Sequence, residues 1–272
     1  MIDKIHHVGV VLPDADDALG FFRDVMGLEV TEDRVIEEQG VRGVLLALGE
    51  NEIELLQPMR DDTGVARYLE SKGPTLHHIC FRTDDIDGEL ARLNAADVEL
   101  IDETSREGLA GQIAFIHPKA AHGVLIELAQ PPEGAHSSTA KGFDHLAALV
   151  TDLDEASATW KQLVGIEVTN EIRPEGRGMV IGQMPCSQVM VELLAAESPD
   201  SPLAKRIEDN GEGASSMVAI EVQDIASEIA RYREAGYELA DAAPGPLPNS
   251  VTTTISADQS FGLAIQLIEF SN

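Results

Sequence analysis

The strongest constraint on the fold is an internal repeat that runs through the whole chain. Residues 143–152 (FDHLAALVTD) mirror residues 5–14 (IHHVGVVLPD) at a spacing of 138 positions. Residues 224–225 (DI) mirror residues 85–86 (DI) at a spacing of 139 positions. Because chance similarity rarely keeps one spacing over so long a stretch, the sequence predicts two homologous halves with the same fold.

Within the first half, one order of secondary structure occurs twice. Alternating apolar residues predict the strands, and apolar residues at helical spacing after Asp14 and Asp85 predict the helices. The first module is predicted as strand 5–12, a helix from Asp14 to about Met26, and strands near 28–30, 41–48 and 52–57. After a short helix (61–72), the second is predicted as strand 76–82, helix 85–95, and strands near 98–102, 112–117 and 123–129.

The order βαβββ is therefore expected four times in the chain. We predict an α+β fold in which paired modules form one curved mixed sheet around a cavity in each half. The expected boundaries are a first domain at 1–131, a linker at 132–141 and a second domain at 142–272. The linker is predicted from its Pro, Gly and Ser content, which offers little to pack.

Composition excludes two classes of partner. The chain has 272 residues, and 19 Lys and Arg against 48 Asp and Glu give a net charge of −29. Repulsion then opposes binding to nucleic acid or to an anionic membrane surface. Two cysteines without metal-type spacing, the lack of a signal-peptide pattern and the lack of a long apolar run predict a soluble, cytoplasmic protein.

Four residues stand out as candidate metal ligands. His7 and Glu54 lie on the first and last strands of the first module, and His78 and Glu127 hold the same places in the second. If the two modules pair about a pseudo-twofold axis, these side chains converge. Two imidazoles and two carboxylates suit Co, Mn, Ni, Fe or Zn, with positions left open for substrate or water. The remaining histidines of the first half and linker are interpreted as non-ligands: His6, His77, His117, His122 and His136.

The first half resembles a known family. Its motifs IHHVGVVLPD (5–14), EIELLQP (52–58), LHHICFRTDDID (76–87) and IAFIHPKAAHGVLIEL (113–128) resemble the vicinal oxygen chelate superfamily, and within it the methylmalonyl-CoA epimerase family. The resemblance implies one divalent metal ion, cobalt first among the candidates, and epimerisation of a 2-substituted malonyl-CoA by α-proton abstraction. A metal-stabilised enolate is the implied intermediate.

The resemblance also implies roles for single residues. Glu127 resembles a catalytic glutamate of the family, and Lys119 is a candidate to hold an anionic group of an acyl-CoA substrate, with a solvated loop residue as the open alternative. Some family members carry a second glutamate three residues after the Gly of a QGV motif. Gly43 stands at that place here, so the second acid or base stays unassigned.

The second half is expected to keep the fold and lose the site. The repeat carries His7 to His145 and Glu54 to Glu192, but His78 to Met217 and Glu127 to Gln266. A thioether and a neutral amide are poor ligands for a hard divalent ion. We therefore expect residues 142–272 to act as an attached pseudo-subunit, in an intrachain pseudo-dimer whose further association stays open.

Two other functions fit the sequence. A glyoxalase I-like lyase acting on a glutathione hemithioacetal would share the ligand set of the first half. A metal-free small-molecule binding protein of the bleomycin-resistance type has a precedent in the second half of this same chain, although the four intact ligand positions of the first half oppose it.

Overall fold

A computed structural model describes residues 1–134 and 142–271. In the first half, the elements are β1 (Ile2–Val11), α1 (Ala15–Phe22), β2 (Glu29–Ile36), β3 (Val41–Leu48), β4 (Asn51–Pro58), α2 (Gly64–Lys72), β5 (Thr75–Thr83), α3 (Ile86–Ala95), β6 (Arg106–Gly108), β7 (Gly111–Ile116), a 3-10 helix (Pro118–Ala120) and β8 (Ile126–Gln130). In the second half, they are β9 (His145–Val150), α4 (Leu153–Val164), β10 (Asn170–Ile172), β11 (Met179–Cys186), β12 (Val189–Ala196), α5 (Pro202–Asn210), β13 (Gly213–Glu221), α6 (Ile225–Glu234), β14 (Ala243–Pro244), β15 (Ser250–Ile255) and β16 (Ala264–Phe270).

The strands form two mixed sheets with the same topology. The first has eight strands in the order β2-β3-β4-β1-β5-β8-β7-β6, and the second has eight in the order β10-β11-β12-β9-β13-β16-β15-β14. The pairs β1–β4 and β5–β8 are parallel, whereas β2–β3–β4 and β6–β7–β8 are antiparallel. The predicted α+β fold with a repeated sheet in each half is confirmed.

Aspartates begin the helix that follows the first strand of each module. The side chains of Asp14, Asp85, Asp152 and Asp224 accept hydrogen bonds from backbone amides in the first turns of α1, α3, α4 and α6. An aspartate there satisfies amides that have no partner within the helix, and its charge suits the helix N-terminus. The helix start predicted at Asp14 is therefore confirmed.

Two predicted elements differ from the structure. The helix predicted to run to Met26 ends at Phe22 and continues as irregular turns, in which the Asp24 and Met26 amides donate to carbonyls five residues earlier. The strand predicted near 98–102 is replaced by an isolated bridge between Leu100 and Ile116, and β6 forms further along the chain.

The described residues divide into two compact units, each built from both halves of the sequence. The first unit comprises Met1–His6, residues 78–134 and His145–Ser215. The second comprises His7–His77, residues 142–144 and residues 216–271. The predicted domain boundaries stay a prediction, and residues 135–141 of the predicted linker lie outside the described residues.

An arginine closes the end of a helix inside each unit. In the first unit, Arg92 on α3 donates to the carbonyls of Gln162 and Leu163 at the end of α4, at 2.6 and 2.7 Å. In the second unit, Arg231 on α6 donates to the carbonyl of Val25 in the turns that follow α1. A cation there offsets the negative end of the helix dipole. Because Arg231 follows Arg92 by 139 positions, the same contact joins the two halves of the sequence in each unit.

Large aromatic side chains pack together inside each unit. In the first unit, the Phe81 ring meets the buried Trp160 ring edge to face, with centroids 6.2 Å apart. In the second unit, the Phe21 ring centroid is 5.0 Å from that of Tyr237 and 6.4 Å from that of the buried Tyr232.

None of the described helices is long and apolar enough to cross a membrane.

Candidate metal centre

The first pair of candidate ligands lies on neighbouring parallel strands. The register of β1 and β4 pairs His7 with Glu52 and Gly9 with Glu54, so residues 7 and 54 share one face of the sheet. The Nε2 atom of His7 is 3.5 Å from Oε2 of Glu54. Both side chains are buried, since the residues are 0% and 6% exposed.

The second pair repeats this arrangement on β5 and β8. Here Cys80 pairs with Glu127, which places Glu127 on the face of the sheet that His78 occupies two residues earlier. The Nε2 atom of His78 is 3.1 Å from Oε2 of Glu127, and both residues are buried. The Phe115 ring of β7 meets the His78 ring nearly at right angles, 5.4 Å between centroids, and so limits its rotation.

The four candidate ligands come together as the sequence predicts. One donor atom from each of His7, Glu54, His78 and Glu127 lies within 4.8 Å of the other three. With metal–ligand distances of about 2.1 Å, octahedral ligand atoms are roughly 3 to 4.2 Å apart, so this spacing fits one ion. Two buried carboxylates side by side are costly without a compensating charge, and a divalent cation provides it. The donor set therefore fits a divalent metal.

Sequence comparison gives the family. A model of the Glyoxalase/Bleomycin resistance protein/Dioxygenase superfamily matches residues 6–117 and again residues 144–252, which together exceed half of the chain. The chain belongs to this superfamily. Both halves match the same model, so the tandem repeat inferred from the sequence is a tandem of superfamily domains.

Individual relatives narrow the assignment of the first half. The mitochondrial methylmalonyl-CoA epimerase of Mus musculus is 34% identical over 131 residues, which are 47% of this chain and 74% of the relative. The ethylmalonyl-CoA/methylmalonyl-CoA epimerase of Cereibacter sphaeroides is 33% identical over 134 residues, 48% of this chain and 99% of the relative. These relatives support an enzyme of the isomerase class, as the sequence predicts, and each matches about one half of the chain.

Two more distant proteins match nearly the whole length. The lactoylglutathione lyase GLX1 of Arabidopsis thaliana is 23% identical over 256 residues, 92% of this chain and 86% of the relative. A mutant of 4-hydroxymandelate synthase from Streptomyces coelicolor aligns with 100% of this chain and 94% of its own, with a TM-score of 0.77 and 16% identity. At that identity, the structural likeness shows the fold alone.

The other histidines of the first half lie in different surroundings. His77 packs edge to face on Tyr68, with centroids 4.9 Å apart, and the Nδ1 atom of His117 accepts from the Lys119 amide. His122 contacts two residues of the second half, which sequence reasoning missed because they are far apart along the chain. His136 lies outside the described residues.

A second group of donor atoms also lies close together. His6, His7 and Cys80 each place a donor atom within 4.8 Å of the others. The interpretation of His6 as a non-ligand stays a prediction. The Cys80 thiol itself is buried, as is that of Cys186.

Two further candidates lie outside the four-ligand group. Lys119 lies in the 3-10 helix beside His122 and lines a different cavity. Gly43 lies on β3, opposite Arg34 of β2 and Leu56 of β4. It therefore shares a sheet face with Glu54 and supplies no side chain there.

The corresponding positions of the second half keep half of the donor set. His145 and Glu192 are buried on β9 and β12, and the Gln183 amide donates to Glu192 at 2.9 Å. Met217 and Gln266 lie on β13 and β16. Among the described residues, both groups of potential metal donors lie in the first half.

Proposed function

We propose that this protein is a metal-dependent epimerase of a 2-substituted malonyl-CoA. The observation that carries the proposal is the convergence of His7, Glu54, His78 and Glu127 in a half whose relatives are epimerases. The α-hydrogen of such a substrate lies between a thioester and a carboxylate. Epimerisation requires removal of this proton from one face and its return on the other.

The four ligands would hold one divalent ion. As a Lewis acid, such an ion draws developing negative charge onto the substrate oxygens. The residues themselves fix the donor geometry, because they lie on paired strands and not on loops. Burial of these side chains also excludes water that would compete for the same positions.

Glu127 is the proposed proton acceptor on one face. It is 3% exposed, and its Oε2 atom faces the His78 imidazole. One Glu127 oxygen would remain with the donor group while the other takes the proton from the α-carbon.

The opposite face needs a second acid, which Gly43 cannot supply. We assign this role to Glu32. The β2–β3 register pairs Glu32 with Leu45, and Leu45 pairs with Glu54, so the two glutamates share a sheet face. A register shift between Val30 and Glu32 turns the strand at this point. The Nε atom of Arg34 is 3.3 Å from Oε1 of Glu32 and would keep that carboxylate directed along the strand.

The second half would act as a structural partner within the same chain. Contacts such as Arg92 with the end of α4 join residues of the two halves inside one unit. In this respect the second half replaces a second copy of a one-domain protein. Lys119 is retained as a candidate for binding an anionic group of the acyl-CoA.

The test is α-proton exchange in deuterated water with methylmalonyl-CoA of each configuration, after loading with cobalt. Wild-type protein should exchange both stereoisomers. The Glu32→Gln variant should still exchange one stereoisomer but should no longer interconvert the two. Failure of the wild type to exchange either stereoisomer would exclude the epimerase, and equal interconversion by E32Q would exclude the role of Glu32.

A glyoxalase-type lyase is the second candidate, favoured by the full-length match to the Arabidopsis enzyme. The same cobalt-loaded protein should be assayed with the glutathione hemithioacetal of methylglyoxal. Turnover of this substrate without exchange of methylmalonyl-CoA would replace the epimerase with the lyase. Binding without turnover of either substrate would favour a small-molecule binding protein.

A further inference from the structure

A cavity of about 560 Å³ inside the first unit is lined by none of the four proposed metal ligands. Its walls combine the 3-10 helix and the following turn of the first half with residues of α4 and Glu212 of the second. The polar side chains that line it are Lys119, His122, Glu155, Thr159 and Glu212.

Three of these side chains form a linear chain of hydrogen bonds. The Nε2 atom of His122 is 3.2 Å from Oγ1 of Thr159, and its Nδ1 atom is 3.0 Å from Oε2 of Glu212. The other carboxylate oxygen, Oε1, accepts from both the amide and the hydroxyl of Thr151, each at 2.6 Å. A hydroxyl, an imidazole and a fixed carboxylate are thus arranged in the order found in acyl-transfer triads.

The Glu212 carboxylate determines which nitrogen of the His122 ring carries the proton. Burial alone would raise the pKa of Glu212, but hydrogen bonds from Thr151 and His122 outweigh it and hold this pKa below its usual value. An ionised Glu212 can only accept, so Nδ1 of His122 donates to it. In the neutral imidazole, Nε2 is then an acceptor and Thr159 must be the donor. This is the tautomer that a general base for Thr159 requires.

The internal repeat shows that the backbone packing here does not need these polar groups. His122 and Phe261 occupy equivalent turns with φ values of 52° and 55°, followed by Gly123 and Gly262 at 78° and 93°. A Cβ on Gly123 would lie 2.2 Å from the Glu212 carbonyl oxygen, and one on Gly262 would lie 2.2 Å from the Pro74 carbonyl carbon. The same close backbone contact therefore forms in both units.

The side chains at this contact differ between the units. At the repeat positions of the histidine, the threonine and the glutamate, the second unit carries Phe261, Phe21 and Pro74. Apolar side chains thus suffice to close the equivalent contact. Packing alone therefore does not require His122, Thr159 and Glu212 in the first unit. These three side chains line the cavity described above.

We propose that Thr159, His122 and Glu212 form a second catalytic site that hydrolyses small carboxylic esters. Oγ1 of Thr159 attacks the ester carbonyl carbon while its proton passes to Nε2 of His122. The bond to the alcohol oxygen then breaks, and that oxygen takes the proton from Nε2. Water repeats the sequence on the acyl-threonine, releasing the acid and restoring the hydroxyl. Glu212 is a positioning residue, and the Lys119 ammonium lines the cavity where negative charge develops.

The test measures p-nitrophenyl acetate hydrolysis by the full chain with EDTA present, which removes any contribution of the proposed metal centre. Thr159→Val keeps the shape of the side chain and removes the nucleophile, so the rate should fall by about 100-fold or more. Thr159→Ser should retain activity. Thr254→Val, at an exposed threonine of β15, is the matched control and should match the wild type.

Two further measurements separate catalysis from structure. An acetyl group should be found by mass spectrometry on the peptide containing Thr159. In Glu212→Gln, the imidazole loses its facing carboxylate, while Glu155 and Lys119 remain in the cavity wall. The maximal rate should fall, whereas the KM for p-nitrophenyl acetate should stay close to that of the wild type.

Equal rates for wild type, T159V and T254V would overturn the proposal, as would an acetyl group on another residue alone. Thermal unfolding of each variant checks that it is folded, and the T159V and T159S pair decides the outcome if E212Q does not fold. Because the assay contains a chelator and no acyl-CoA, its result is independent of the proposed epimerase.

Discussion

At the scale of single residues, Glu212 shows how a carboxylate is kept ionised in a partly buried place. Its pKa is lowered because hydrogen bonds from Thr151 and His122 outweigh the effect of burial. A group whose folded-state pKa is lowered stabilises the fold at pH values above its unfolded pKa of about 4.3. That contribution is lost as the pH falls through the folded-state value.

Glu212→Gln should therefore lower the free energy of unfolding at pH 7 by about 1 kcal/mol, since a charged acceptor of several hydrogen bonds is replaced by a neutral one. The difference from wild type should begin to shrink as the pH falls below about 4.3, where the carboxylate of the unfolded chain takes up a proton, and should be lost below the lower folded-state pKa. Denaturant unfolding at several pH values measures this. Glu208→Gln, at an exposed site on α5, is the control. If the difference in the free energy of unfolding between wild type and E212Q stays constant with pH, the ionised Glu212 carboxylate does not stabilise the fold.

The sequence predicted the metal donors better than the other polar contacts. His7, Glu54, His78 and Glu127 could be recognised because the repeat of modules places them at equivalent strand positions. The contact of His122 with Glu212 spans 90 residues and has no counterpart in the other unit, so no repeat or period marks it. The sequence gives no sign of Glu32, the proposed second acid, because this residue reaches its sheet face only through a register shift in β2.

At the scale of elements, the turn before β8 depends on Gly123. Its φ of +78° is one that side chains rarely adopt, and a Cβ there would lie 2.2 Å from a backbone oxygen. Gly27, which follows α1, has the same kind of φ, +79°, but nothing within 4 Å of the position of a Cβ. The two glycines share the backbone strain and differ only in the clash.

Gly27→Ala should cost about 1 kcal/mol, the usual penalty for a left-handed alanine. Gly123→Ala should cost more by a further 1 to 3 kcal/mol or so, because the backbone of residue 212 must move. Denaturant unfolding of the two variants gives the comparison. Equal losses of stability would show that the close contact at Gly123 relaxes without cost.

Most helices and strands could be predicted from the local sequence pattern. The strand predicted near 98–102 did not form, and the structure shows why. A carboxylate oxygen of Asp102 accepts the Phe115 amide at 3.0 Å, a bond that a strand carbonyl would otherwise take. The Asp102 side chain thus competes with the backbone hydrogen bonds of the sheet. Regular pairing with β7 begins only at Arg106. A strand pattern in sequence carries no sign of such competition.

At the scale of the whole molecule, the net charge of −29 works against the folded state. Charges of one sign repel more strongly in the compact chain, and salt screens them over a Debye length that falls from about 10 Å at 0.1 M to about 3 Å at 1 M. The thermal midpoint at pH 7 should therefore rise by several degrees between these KCl concentrations.

The control for this effect is the same titration near the sequence pI of 4.4, where the net charge approaches zero. The rise in the thermal midpoint should be much smaller there. An equal rise at both pH values would show that salt acts through general exclusion from the surface and not through charge screening.

The first half of the tandem chain is proposed to hold one divalent metal ion. The most direct measurement is elemental analysis after saturation with cobalt and removal of the excess, on wild type, His78→Ala and His145→Ala. We expect one ion per chain in the wild type, loss of that ion in H78A, and retention in H145A, which changes the position of the second half that corresponds to His7. A wild type without bound metal, or an H78A variant that keeps it, would contradict the proposed metal site.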